Sequence, residues 1–95
     1  MIEQNVINNI WYNTEETIPV FNPATKELLG HVPSSTADDA ARAVDAASTA
    51  FVDWSQRTAD DRADKIDAWY RLIQEHRDEL ADIMTREQGK PFVEA

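Results

Sequence analysis

Hydrophobic spacing changes character about one third of the way along this chain. From Val6 to Tyr12 the residues are β-branched, aromatic or amide-bearing and read as one short strand. A polar connector, "NTEE", separates it from "TIPVFNP", a second extended stretch that ends in a turn at Asn22-Pro23. Leu28 to Val32 resumes an extended segment with Gly30 inside it. The strands therefore fall within about 6–32. After that the period lengthens. Ala40, Val44, Ala47, Phe51 and Trp54 recur at steps of three and four, which places them on one helix face and predicts a helix over about 37–54. Ile66, Trp69, Tyr70 and Ile73 mark a second helix, about 59–75, and Leu80, Ile83 and Met84 a third, about 78–88.

The helix ends carry their own signals. "TADD" occurs at 36–39 and again at 58–61. Thr36 and Thr58 suit the N-cap, where a hydroxyl accepts an orphan backbone N–H, and the following aspartates favour the positive helix pole. Gly89 suits the left-handed position just past a helix end. Pro91 suits a first helical position, so "PFVEA" predicts the first turn of a fourth helix starting at 91. One turn is too short to stand alone, and three short strands make a marginal sheet. Both ends of the architecture look unfinished.

Composition narrows the function classes. The 95 residues suffice for one small domain. Eighteen acidic residues against nine basic ones give a net charge of −9, which repels nucleic acid backbones and anionic membranes alike. No apolar run is long enough to span a bilayer. The start, "MIEQNVINNIW", has neither a basic segment nor an apolar one of the signal-peptide kind, so a soluble cytoplasmic protein is expected. There is no cysteine, hence no disulfide, thiolate ligand or thiol nucleophile.

Candidate chemistry is sparse. His31 and His76 lack a second His or Cys at ligand spacing and are expected to face solvent or cap a helix. Helix-start electrostatics accounts for Asp38, Asp39, Asp60 and Asp61. Trp54, Trp69 and Tyr70 are expected in the core. Glycine occurs only at 30 and 89, so no glycine-rich phosphate loop can form. Lys90 is a favourable charge beyond a helix end. Glu87 is not: an acid near the negative pole invites a cation, or is simply exposed.

Four phrases in order resemble the N-terminal segment of the aldehyde dehydrogenase superfamily. They are "INNIW" (7–11), "VFNPATKELLGHVP" (20–33), "ADDAARAVDAASTAF" (37–51) and "EQGKP" (87–91). "REQGKP" is most similar to the succinate-semialdehyde branch. Lys26 and Asn9 stand where the family usually has glycine. The resemblance implies an α/β fold, residues 1–95 being an incomplete N-terminal portion of an NAD(P)-binding domain: short strands, then three helices. It implies oxidation of an aldehyde to an acid with NAD or NADP, through a cysteine thiolate, a glutamate base and an oxyanion-binding asparagine. In the family these lie further along, so this chain is expected to hold no catalytic or cofactor-binding residue and to be inactive alone, without bound cofactor. The resemblance also implies a monovalent cation held by the carbonyls of Val20 and Phe21 and by Glu87. Family members are commonly homodimers or homotetramers, and the chain alone is expected to self-associate. A reading of a different class is a stand-alone acidic helical module that binds a protein partner without catalysis.

Overall fold

A computed structural model describes residues 2–95. Its elements run β1 (Asn5–Ile7), β2 (Ile10–Tyr12), β3 (Thr17–Phe21), β4 (Leu28–Pro33), α1 (Ala37–Gln56), α2 (Ala59–Glu75), α3 (Arg77–Gln88) and a 3-10 turn, Phe92–Glu94. The strands form two antiparallel hairpins, β1–β2 and β3–β4, that share no ladder.

The stretch from Val6 to Tyr12, expected as one strand, is two. Asn8 and Asn9 both take positive φ, 52° and 65°, and fold the chain back so that Val6 faces Trp11 and Ile7 faces Ile10. A two-residue hairpin turn of type I′ needs positive φ at both central positions, and asparagine tolerates that region better than most L-residues. The continuous run of strand-forming residues hid a turn built without glycine.

In the second hairpin the Asn22 side chain organises the turn. Its Oδ1 accepts from the N–H groups of Ala24 (2.9 Å) and Thr25 (3.3 Å), and its carbonyl accepts from Lys26 N–H (2.8 Å). Lys26 itself sits at φ 66°. The register pairs Val20 with Gly30 but Phe21 with Leu28, leaving Leu29 as an extra residue in a bulge. Leu29 lines a cavity together with Ile83 and Glu87 of α3.

Both predicted N-caps are in place. Thr36 accepts from Asp39 N–H, and the Asp39 carboxylate accepts from Thr36 N–H, closing a capping box; Thr58 accepts from Asp61 N–H. Arg57, between α1 and α2, pairs with Asp53 (2.8 Å) and Asp61 (3.3 Å) and so ties the two helices at their junction. Only His76 separates α2 from α3.

Residues 91–95, where the first turn of a fourth helix is expected, hold the 3-10 turn. Pro91 is extended (φ −55°, ψ 138°) and precedes the 3-10 turn, with its carbonyl accepting from Glu94 and Ala95.

The largest departure from expectation is the core. Among the described residues only Ala81 is buried, at 6% exposure. Trp69 and Tyr70, expected inside, are 63% and 58% exposed, while Trp54 is half-buried. The molecule is a slab of 48 × 35 × 16 Å with a radius of gyration of 16.6 Å, against about 12 Å for a compact chain of this length. Its surface is 7687 Å², roughly 2,000 Å² more than a compact monomer of this size exposes. One layer is present where a domain needs two.

Candidate functional site

The best-built corner of the molecule joins the end of α3 to the turn after β3. Gly89 closes α3 in the left-handed region (φ 84°), and its N–H donates to the Thr85 carbonyl at 2.9 Å. A Cβ at Gly89 would stand 3.0 Å from Pro23 Cγ. Glycine is thus required twice, for its φ and for the approach of the helix end to Asn22-Pro23.

The residues expected to hold a cation flank this contact in sequence, Glu87 just before Gly89 and Val20 and Phe21 just before Asn22. Glu87 is half-buried and lines a cavity of about 130 Å³ with Leu29, Asp82, Ile83 and Arg86. Leu29 lies between Leu28, the partner of Phe21, and Gly30, the partner of Val20. Val20 is half-buried and Phe21 exposed. Arg86 is paired with Asp82 at 3.0 Å, and Glu87 has no ion-pair partner among the described residues. Nor do three His, Cys, Asp or Glu side chains gather anywhere among them. A cation here would therefore rely on one carboxylate and backbone carbonyls, a hard oxygen set suited to a monovalent ion and not to a transition metal.

The remaining candidates have structural occupations. His31 is exposed, and its backbone N–H donates to Glu3 Oε1 (3.0 Å). His76 caps the α2–α3 junction, with Nδ1 3.0 Å from Glu79 Oε2. Asp39 closes the α1 cap, and Asp61 pairs with Arg57 and Lys65. The Thr36 backbone N–H, followed by Arg42, holds the Asp39 carboxyl below its ordinary range.

One constellation had been missed. Arg42 pairs with Asp39 while its guanidinium lies 5.3 Å from the centre of the Tyr12 ring. Together with the Asn13–Glu16 connector these side chains line an open cavity of about 430 Å³ between the first hairpin and α1. Asn5 Nδ2, donating to Ser35 Oγ at 2.6 Å, adds a second tie across the same seam. The i, i+3 spacing of Asp39 and Arg42 was visible in the sequence. That Tyr12 would lie against it was not, because the hairpin itself was unrecognised. These groups satisfy one another and anchor the hairpin to the helix.

Two hairpins followed by three helices form a single layer. Comparison with known proteins identifies which fold. The aldehyde dehydrogenase family model matches residues 11–95, and the chain belongs to that family. It is 45% identical to the succinate-semialdehyde dehydrogenase (NADP(+)) GabD of Escherichia coli, across 98% of this chain and 20% of that protein. It is 50% identical to a non-phosphorylating aspartate-semialdehyde dehydrogenase of Halomonas elongata, across 80% of this chain and 15% of the relative. A crystal structure of the succinate-semialdehyde dehydrogenase from Burkholderia pseudomallei superposes with a TM-score of 0.91 at 40% identity, covering 97% of this chain and 20% of that one. The chain thus spans about one fifth of the length of the relatives it matches.

Proposed function

We propose that the protein to which these residues belong oxidises an aldehyde to its acid with NAD or NADP, and that the aldehyde is succinate semialdehyde. The observation that carries this reading is the superposition over 97% of the chain at 40% identity on a succinate-semialdehyde dehydrogenase. The semialdehydes named for the relatives share one feature, an anionic carboxylate at the far end from the reacting carbonyl. A substrate of that class is therefore the firmest part of the substrate assignment, and succinate its sharpest form.

In this reading residues 1–95 are the first part of the dinucleotide-binding domain of a cytoplasmic homodimer or homotetramer. They supply scaffold, not chemistry. The family reaction needs a cysteine thiolate, and the sequence has no cysteine. The 95-residue chain alone should neither turn over aldehyde nor hold the dinucleotide. The cation set of Val20, Phe21 and Glu87 belongs to the same proposal, supported by the half-burial of Glu87 and its lack of an ion-pair partner.

The test is a chimera in which this chain replaces the matching first fifth of the Escherichia coli relative, assayed with succinate semialdehyde and NADP⁺ by the appearance of NADPH. Turnover retained by the chimera and absent from the 95-residue chain is expected. Turnover by the chain alone would defeat the argument from missing groups; a soluble chimera inert to every carboxylate-bearing aldehyde tried would defeat the assignment. Replacing potassium and sodium by choline should lower the chimera's Tm, and Glu87→Gln should abolish that difference if the cation set is right.

A further inference from the structure

The second hairpin has two open sides, since β3 and β4 pair only with each other among the described residues. Bonded and outward-facing positions alternate along an antiparallel pair. Ser34 N–H donates to the Glu16 carbonyl at 2.9 Å, so the alternate pairs that follow, Ile18–Val32 and Val20–Gly30, are bonded within the ladder. The pairs between them, Thr17–Pro33 and Pro19–His31, turn their backbone groups outward. Proline has no N–H, which removes the outward donor at Pro19 on β3 and at Pro33 on β4. That leaves His31 on β4, and its N–H is taken by Glu3 Oε1 at 3.0 Å. Further along the same side, Asn5 Nδ2 donates to Ser35 Oγ at 2.6 Å, so residues 3–5 run beside 31–35.

We propose that residues 3–5 are a strap across the open side of β4, that Glu3 shuts the outward donor which proline leaves there, and that the strap keeps this hairpin from pairing with a second copy of the chain. A second copy is the occupant to exclude because neither strand carries a charge. "TIPVF" and "LLGHVP" contain no acid, lysine or arginine, so the net charge of −9 lies elsewhere and does not guard this side. An uncharged, apolar strand with an open side is a ready template for its own sequence. A strand adding to β4 needs donors at alternate residues. It meets a carboxylate at His31 and a missing N–H at Pro33. The two blocks differ in kind: the proline is permanent, whereas the Glu3 bond can open.

The test uses the chimera and reads no activity. Glu3→Ala should speed hydrogen exchange of the His31 amide roughly tenfold, the loss expected of a hydrogen bond to a charged group. Exchange of the Val32 amide should not change, because its partner is Ile18 within the ladder. Glu3→Gln keeps an acceptor oxygen and should stay near the parent. Glu3→Ala combined with Pro33→Thr opens two successive outward donors and should drive the chimera into larger assemblies, seen by analytical ultracentrifugation. Pro33→Thr alone, with the strap closed, should not. Unchanged His31 exchange in Glu3→Ala, or an equal change at His31 and Val32, would overturn the strap. A double variant that keeps the parent's size would equally overturn the proposal, as would Pro33→Thr assembling as fully as the double variant. Glu3 is exposed, so its single variants keep the fold, and matched circular dichroism checks those that carry Pro33→Thr.

Discussion

Gly89→Ala is the substitution that the structure prices most directly. Two independent costs arise at the same Cβ. An L-residue at φ 84° costs about 1 kcal/mol relative to glycine. The new methyl also meets Pro23 Cγ at 3.0 Å, a contact that a rigid ring can relieve only by moving the β3–β4 turn, for about another 1 kcal/mol. The sum, about 2 kcal/mol, corresponds to roughly thirtyfold faster opening of the α3 terminus. Native-state hydrogen exchange in the chimera would read it at the Gly89 region, where the amide is bonded to the Thr85 carbonyl. Two companion variants separate the terms. Gly89→Asn eases the conformational cost but keeps the contact, whereas Pro23→Ala combined with Gly89→Ala removes the contact and leaves the φ cost. Exchange within about threefold of the parent for Gly89→Ala would refute the reasoning, because neither cost would then be real.

Three further outcomes follow from local geometry. Lys26→Gly should stabilise the second hairpin by about 0.5–1 kcal/mol, read as slower exchange of the Asn22 and Lys26 amides, because Lys26 holds φ 66° without a side-chain contact that repays it. Thr36→Ala should cost about 1 kcal/mol at the start of α1, seen as fraying of its first turn by exchange or NMR, while Thr36→Ser should retain the cap. Acid should loosen the same turn. The Asp39 carboxyl is held below its ordinary range by Thr36 N–H and Arg42, so its stabilising contribution is complete above the unfolded-state pKa near 4 and is lost as pH falls through the lower folded value. Asp39→Asn should remove that pH dependence of first-turn fraying.

What the sequence disclosed depended on whether a signal was local. The helix caps at Thr36 and Thr58 and the left-handed stop at Gly89 are satisfied by neighbours within four residues, and all three were legible. The Asn8-Asn9 turn is equally local but was hidden, because glycine is the usual marker of positive φ and asparagine sat inside a strand-like run. The Leu29 bulge was invisible for another reason: a two-residue period does not reveal which partner residue has been skipped. At the candidate cation site, the odd charge of Glu87 at a helix end was visible. Its proximity to the β3–β4 hairpin came only through the family resemblance, because no local pattern reveals Gly89 meeting Pro23 across 66 positions of chain.

The misplacement of Trp69 and Tyr70 has a deeper cause. Hydrophobic periodicity reports which face of an element will be covered, not which chain does the covering. The α2 stripe was identified correctly as a face, and then assigned to a core that this stretch of chain does not contain. In a free-standing domain the two statements coincide, since the elements cover one another. In a layer 16 Å thick they separate, and the separation is informative. Residues patterned for burial but left exposed mark the faces these elements leave uncovered, Phe51 on α1 and Trp69 on α2. The same reasoning locates function. In this single layer Asp39, Asp53, Asp61, Asp67, Glu79 and Asp82 are held in caps or ion pairs, and Glu87 is a half-buried carboxylate with no ion-pair partner among the described residues. The layer's contribution to an aldehyde dehydrogenase is therefore read most directly from the faces it leaves uncovered.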